Sequence, residues 1–323
     1  MFVFILYTFY IYNNMFTGFD LNSKKYKNYG QYLRNSKNIP YIKKCNKVAL
    51  FTNARDEPHI KEWAAHHLLL GFDHIFITDH LSIHPLTQVF NNFDPRIVIN
   101  TCNMKTNIKL HLMDEAITTA KKYNVDWFIY LDADEFIVFN DKVTNITNIK
   151  RFLSLYNTAA DMIAINWLFF GSNYLDYEPD SILGSYTKSE THINNHVKSF
   201  VRPNEALYAG SPHVYTIKNF DNFYAFNGKI GKKTLFNECI IPFENCPIYI
   251  AHYVNQSKES FIKRKVIKPR DDTGGYRTEV DKNIVENIHE QHNNIDNFKP
   301  KELYHEKVQK FLKEKEKEKE TTP

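Results

Sequence analysis

The chain has 323 residues, 43% of them hydrophobic and 24% charged. That length can bury one large core or two modest ones, and the composition is that of a globular chain, not a disordered or fibrous one. The net charge of +4 is uneven: residues 1–47 hold seven Lys and one Arg against one Asp, a balance of +7, so the remainder carries −3, which excludes a general basic field for nucleic acid.

Residues 1–12 are almost wholly apolar, but they are too few for a membrane span of about 20 residues. They also lack the basic leader and small-residue cleavage site of a signal peptide. Residues 1–14 are read as an apolar segment able to act as a weak anchor, and 15–46 as a basic linker. This leaves location open between cytoplasm, membrane surface and, if 1–14 is a signal-anchor, the secretory lumen. The four cysteines include no C-x-x-C pair, which argues against zinc and leaves disulfides unassigned.

The folded body is expected over 47–290. Val48-Ala-Leu-Phe-Thr-Asn reads as a buried strand. A helix should follow, with Pro58 in its first turn and Asp56 or Glu57 as its cap. Ile60, Trp63, Ala64, His67 and Leu68 share one helical face, and Gly71 suits the left-handed position that ends a helix. Residues 72–79 then supply a second strand, so the three elements form a βαβ unit with parallel strands. A third strand is centred on Arg96-Ile-Val-Ile-Asn, and a helix over 109–123 should bury Leu110, Met113, Ile117 and Ala120. Another helix is expected over 146–156, followed by an apolar strand over 162–170. This alternation predicts an α/β fold, a mostly parallel Rossmann-like sheet flanked by helices, with an irregular C-terminal half. Ser257 should cap a basic helix, and 291–323, which ends in alternating Lys and Glu, reads as a charged helix or solvated tail.

The most informative stretch is 130–139, Tyr-Leu-Asp-Ala-Asp-Glu-Phe-Ile-Val-Phe. Three carboxylates sit between two apolar runs, where desolvating an ion is costly. If the strand before Asp132 stays extended, Asp132 and Asp134 point to the same face. Two converging carboxylates suit a hard divalent cation. Arg55 and Asp79 also fall at predicted strand ends, and open α/β sheets bind ligands beyond the carboxyl ends of their strands.

Several ordered blocks together resemble the family 2-like and family 92 glycosyltransferases: Arg55-Asp-Glu with Glu62-Trp63, His67 and Gly71-Phe-Asp-His-Ile; Asp126-Trp with Leu131-Asp-Ala-Asp-Glu-Phe; Trp167 with Phe170-Gly-Ser; Lys198-Ser-Phe-Val-Arg-Pro with Pro212-His; and His252-Tyr with Ser257, Phe261 and Lys265. The resemblance spans roughly 48–283 and implies a GT-A-type single domain, a nucleotide-sugar donor and usually Mn²⁺. Gln256 stands where that family usually has a Lys, which shifts the expected basic contact to Lys258.

On this reading Asp132 and Asp134 hold Mn²⁺ (or Mg²⁺), with His213 or, failing that, His252 as a third ligand. Arg55, Asp79, Asp132, Lys198 and Lys258 bind the donor, a UDP-sugar being favoured, and Arg202 is a further candidate phosphate contact. Trp167 and Phe170 would form a platform for a glycan acceptor. If the reaction inverts the anomeric centre, a carboxylate after Trp167 must take the hydroxyl proton; Glu190 is favoured over Asp180 and Asp176. Two rival classes use the same features: a nucleotidyl or phosphoryl transferase built on the acidic cluster, and a non-catalytic glycan-binding relative.

Overall fold

A computed structural model describes residues 45–156, 160–225, 228–229, 236–237, 240–270, 275 and 282–321. The expectations for 1–14 and for nearly all of 15–46 lie outside the described residues, as does Cys239. Within the described residues Cys45, Cys102 and Cys246 are buried free thiols, and no helix is long and apolar enough to cross a membrane.

Fourteen strands are described. In chain order they are β1 (Val48–Ala54), β2 (His74–Asp79), β3 (Ile97–Thr101), β4 (Trp127–Tyr130), β5 (Glu135–Phe139), β6 (Met162–Phe169), β7 (Lys188–Ser189), β8 (Val197–Val201), β9 (Ala206–Ala209), β10 (Tyr215–Ile217), β11 (Phe223–Ala225), β12 (Gly228–Lys229), β13 (Ile248–His252) and β14 (Ile295–Asp296). The main leaf runs β12-β11-β6-β8-β4-β1-β2-β3. β1 pairs in parallel with both β2 and β4, β2 with β3, and β6 with β11; β8 enters antiparallel between β4 and β6. The architecture is a curled, mostly parallel sheet flanked by helices, as the alternating pattern predicted.

Why these segments are strands follows from their alternation. Val48 and Leu50 of β1, Ile75 and Ile77 of β2, and Trp127 and Ile129 of β4 enter one core cluster. Ala49 and Phe51, Phe76, and Phe128 and Tyr130 enter the other, on the opposite face. A strand that is apolar at every position belongs in a sheet covered on both sides. Helix α1 (Ile60–Leu69) covers one face and buries the five residues its spacing indicated. Gly71 follows at φ +99°, the left-handed conformation expected after it. Its start differs: no side chain caps it. Asp56 instead accepts the Ile83 N–H at 2.7 Å, and Glu57 faces a basic segment described below.

A short helix α2 (Leu86–Val89) is followed by α3 (Ile108–Lys122), which covers the other face. It buries Met113, Ile117 and Ala120 as expected but turns Leu110 outward; Ile108, Leu112 and Ala116 complete its inner face. Helix α4 (Ile149–Ser154) is shorter than the pattern suggested because Asn148 caps it, accepting the Lys150 N–H at 2.9 Å. After α5 (Ile182–Ser185), Ser257 caps α6 (Lys258–Phe261) by accepting the Ser260 N–H, as expected. Helix α7 (Lys282–Glu290) precedes β14, and the chain ends in α8 (Glu306–Thr321).

The segment after 290 is not a solvated tail throughout. β14 pairs with β7, the Tyr304 hydroxyl accepts the Phe139 N–H at 2.9 Å, and Val308 is buried in the core. Only the last turns of α8 keep the exposed Lys/Glu pattern read from the sequence.

One strand, β6, divides its length between two leaves. β6 pairs with β8 through Asn166 and with β13 from Trp167 onward. β13 in turn pairs antiparallel with β5. The chain crosses from the main leaf (β4) to this second leaf (β5) through residues 131–134, so the acidic stretch spans the junction.

Candidate active site

Pairing of β4 with β1 continues one residue past the strand, where the Leu131 N–H donates to Phe51 O at 3.0 Å. The Glu135 N–H then donates to Asp132 O at 3.1 Å. Residues 132–135 therefore form a turn, and the extended backbone that would have aligned Asp132 with Asp134 does not continue. Both carboxylates nevertheless line one cavity of about 330 Å³, because the turn sits at the mouth between the leaves. Antiparallel register places His252 opposite Glu135, which brings the end of β13 to the same place.

The cavity is bounded by Asn53, Ala54 and Arg55 at the end of β1, Lys109 of α3, residues 132–134, His252, and Arg264, Lys265, Lys268 and Arg270 beyond α6. Six Lys or Arg side chains line it against three carboxylates, those of Glu57, Asp132 and Asp134, an excess of three positive charges. Each central carboxylate faces two cations. Asp132 accepts from Lys109 Nζ and from Lys198 Nζ, the latter at 2.9 Å. Asp134 accepts from Arg264 Nη2 at 2.7 Å and has Lys265 Nζ at 3.9 Å. Burial alone would raise both acids, but Lys109 and Lys198 hold Asp132 well below the usual range. Arg264, followed by His252 and Lys265, brings Asp134 to about 2. Glu135 is fully buried, and burial pushes its carboxyl up to about 8 against the pull of Lys198; its Oε2 accepts the Asp132 N–H at 2.9 Å. It braces the turn.

Burial lowers His252 to about 4 against the pull of Asp134, so its imidazole is neutral at pH 7. Its Nε2 is 3.6 Å from Asp134 Oδ1, and its buried Nδ1 has no hydrogen-bond partner. Two ionised carboxylates and a neutral imidazole whose Nε2 faces Asp134 are a donor set that fits Mn²⁺ or Mg²⁺. No preformed cage of three or more His, Cys, Asp or Glu occurs among the described residues, and the lysine and arginine partners hold carboxylate oxygens that a cation would use. His213, the first choice as third ligand, does not line the cavity. Its Nδ1–H donates to Val197 O at 2.9 Å and its ring packs 5.0 Å from Trp167.

The other expected site residues separate. Arg55 lines the cavity, with Nε donating to His80 O at 2.8 Å. Asp79 is spent on backbone, accepting from the N–H groups of Ser82 and Leu86, and does not face the cavity. Lys198 reaches Asp132 from behind, nearly fully buried. Arg202 lies elsewhere: its Nε donates to Ala160 O at 2.8 Å and its guanidinium stacks 4.3 Å over the Trp127 ring. Lys258 is drawn away by Asp176 at 3.3 Å and Glu286 at 2.8 Å, which also occupies Asp176. Asp180 faces a separate cavity beside α8. Phe170 is wholly buried and offers no platform; its neighbour Phe169 is half-buried and lies 5.7 Å from Trp167. Glu190 does not line the cavity and accepts from His292 Nδ1 at 2.8 Å. The His292 ring stacks 4.7 Å from Phe169, and Phe169 is 5.5 Å from His252.

Lys109, Arg264 and Lys268 were not singled out from the sequence. The available signal was the run Lys263-Arg-Lys with Lys268 and Arg270 shortly after His252, which reads as a basic helix and not as a pocket wall.

No family model matches the chain, and no curated protein does. Solved structures with similar coordinates include HddC from Yersinia pseudotuberculosis (12% identity, TM-score 0.32, covering 61% of this chain and 93% of that one). Others are a putative glucose-1-phosphate thymidylyltransferase from Bacillus anthracis (8%, 0.29, 49% and 72%) and a cytidylyltransferase from Leptospira borgpetersenii (10%, 0.27, 49% and 60%). At these identities and scores they bear on no residue of the site, and the family resemblance rests on the ordered motifs alone.

Proposed function

We propose that this protein is a metal-dependent glycosyltransferase that moves a hexose from a nucleoside-diphosphate sugar, a UDP-sugar being favoured, to a glycan or glycoconjugate acceptor with inversion. The observation that carries this reading is the cavity at the ends of β1 and β4, where six cationic side chains surround Asp132 and Asp134. An excess of positive charge around paired carboxylates suits a polyanionic ligand bound together with a cation.

Asp132, Asp134 and His252 would hold Mn²⁺ or Mg²⁺, which supplies Lewis-acid neutralisation of the departing diphosphate. Lys109, Arg264, Lys265 and Lys268 bond phosphate oxygens, and Arg55 orients the nucleotide from the end of β1. Trp167 and Phe169 form the acceptor shelf. Glu190, held by His292 on the far side of Phe169, takes the acceptor hydroxyl proton as the oxygen attacks the anomeric carbon.

The test is calorimetric titration of the full chain with UDP in the presence of Mn²⁺, alongside hydrolysis of a panel of UDP- and GDP-sugars. Asp132→Ala and Asp134→Ala should each abolish Mn²⁺-dependent binding while keeping the wild-type circular dichroism. Turnover of nucleoside triphosphates with no nucleotide-sugar binding would replace this reading with nucleotidyl transfer.

A further inference from the structure

The loops at the carboxyl ends of β1, β2 and β3 are stitched to the basic segment that follows α6. The Asp56 N–H donates to Ser82 Oγ at 3.1 Å, and Asp56 Oδ1 accepts the Ile83 N–H at 2.7 Å. Lys268 Nζ donates to Arg55 O at 2.6 Å and to Asp56 O at 3.0 Å, and Arg264 Nε to Glu57 Oε2 at 2.9 Å. His80 Nε2 lies 2.8 Å from Met104 O, which joins the loop after β3. This bonded unit turns bulky apolar side chains to solvent. Ile83 is 81% and Ile267 63% exposed, and Leu81 and Met104 are exposed as well. Leu81 sits in left-handed backbone at φ +60°, a conformation costly for a leucine. The buried Asp79 fixes that turn by accepting the Ser82 and Leu86 N–H groups.

Ile83 and Ile267 line one groove of about 300 Å³, which shares Arg264 and Lys268 with the active-site cavity. Residues 262–270 read Ile-Lys-Arg-Lys-Val-Ile-Lys-Pro-Arg, five cations and no acid. Lys263 stays outside the active-site cavity, exposed near Ile262 and Ile267, and Lys105 is exposed beside Met104. Glu178 and Glu259 lie 3.4 and 2.9 Å from Lys263 Nζ and offset part of its charge. Exposed apolar side chains gathered on bonded loops mark an interaction surface. Cations set among them match a partner with hydrocarbon beneath anionic groups. We propose that this face, carried by Leu81, Ile83, Met104 and Ile267 with Lys105 and Lys263, docks the protein on an anionic lipid surface. The apolar side chains enter the acyl boundary while the lysines meet the headgroups. The chain carries the same pairing a second time, since residues 1–12 are almost wholly apolar and 1–47 hold a balance of +7. Two such segments on one chain reinforce each other at one surface.

The experiment is cosedimentation of the full chain with vesicles of phosphatidylcholine containing about 30% phosphatidylserine, and with phosphatidylcholine alone. The wild-type chain should bind the anionic vesicles more tightly, and added salt should weaken that binding. Ile83→Ser with Ile267→Ser should weaken it by about 10-fold or more, from the apolar area no longer buried. Lys105→Gln with Lys263→Gln should weaken it by about fivefold on anionic vesicles and leave phosphatidylcholine unaffected. All four side chains are exposed, so circular dichroism and melting temperature should stay at wild-type values. Leu69→Ser, an exposed apolar residue at the far end of α1, is the control and should change nothing. Binding that ignores the isoleucine pair overturns the proposal and leaves residues 1–14 as the membrane contact. Equal loss in Leu69→Ser, or equal affinity for both vesicle types, also overturns it. A wild-type chain that ignores vesicles but forms a dimer dissolved by the isoleucine pair assigns the face to a second copy instead. None of these outcomes depends on the nucleotide-sugar reading, which UDP titration tests separately.

Discussion

Lys198 Nζ lies 2.9 Å from Asp132 Oδ2 and 3.6 Å from Glu135 Oε2, although the lysine is 1% exposed. β8 delivers it from beneath the acidic turn, where it bridges the two acidic side chains. Lys198→Met should cost about 2 kcal/mol: less than the loss from breaking a wholly isolated buried pair, because Asp132 retains Lys109 and Glu135, which burial raises to about 8, is already mostly protonated at pH 7. Urea unfolding reads this directly. A cycle with Asp132→Asn should show a coupling of at least about 1 kcal/mol, and an unchanged midpoint in Lys198→Met would mean that the pair contributes nothing net.

The same internal neutralisation bears on metal removal. Asp132 and Asp134 already have Lys109, Lys198, Arg264 and Lys265 as counter-ions, so the fold does not need a cation to relieve their repulsion. Chelation with EDTA should weaken UDP binding at least tenfold, about 1.4 kcal/mol, while the melting temperature of the nucleotide-free chain shifts by less than about 2 °C. A large fall in melting temperature on chelation would instead make the ion structural.

Gly71 is fixed by two constraints at once. Its φ is +99°, and a Cβ there would lie 2.3 Å from Asn148 Nδ2, the side chain that caps α4. Gly71→Ala should therefore combine backbone strain with a disturbed cap, about 2–3 kcal/mol in all. Because both effects meet at Asn148, the double variant with Asn148→Ala should lose less than the sum of the singles. Additive midpoints in guanidinium unfolding would separate the two sites.

Acid stability should follow the buried histidines. His66 and His67 are both fully buried; burial lowers His66 from 6.5 to about 4 and His67 well below 6.5. Each binds fewer protons folded than unfolded as pH falls below 6.5, so their stabilisation is complete above 6.5 and lost on the way down through the folded value. Glu135, raised from 4.5 to about 8, acts in the opposite sense: its contribution is complete below 4.5 and lost as pH rises through 8. Between pH 6.5 and 4.5 the two histidines outweigh the one glutamate by one proton, a slope of at least about 1.4 kcal/mol per pH unit. His213 and His252, also lowered to about 4, steepen it. Stability measured by urea midpoints should peak near pH 6.5; a chain more stable at pH 5 than at 6.5 contradicts the burial account.

What the sequence determined by itself is local and periodic. The apolar strands at 48, 74 and 127, the buried face of α1, the left-handed Gly71, the Ser257 cap and the position of the acidic cluster at a strand end all depend on residues within one or two turns of each other. Periodicity and capping chemistry report such relationships. The tertiary structure decided which charges meet. Arg264 finds Asp134 across 130 residues and Glu57 across 207, and Lys198 finds Asp132 across 66. It also withdrew residues that strand ends or the family resemblance had placed in the site: Asp79 went to backbone amides, Lys258 to Asp176 and Glu286, and Phe170 into the core. A charge run has no spacing that says which carboxylate it will neutralise. That choice follows from strand order and register, with β8 beneath the turn and β13 beside it, and from the burial that makes an unpaired ion too costly to keep.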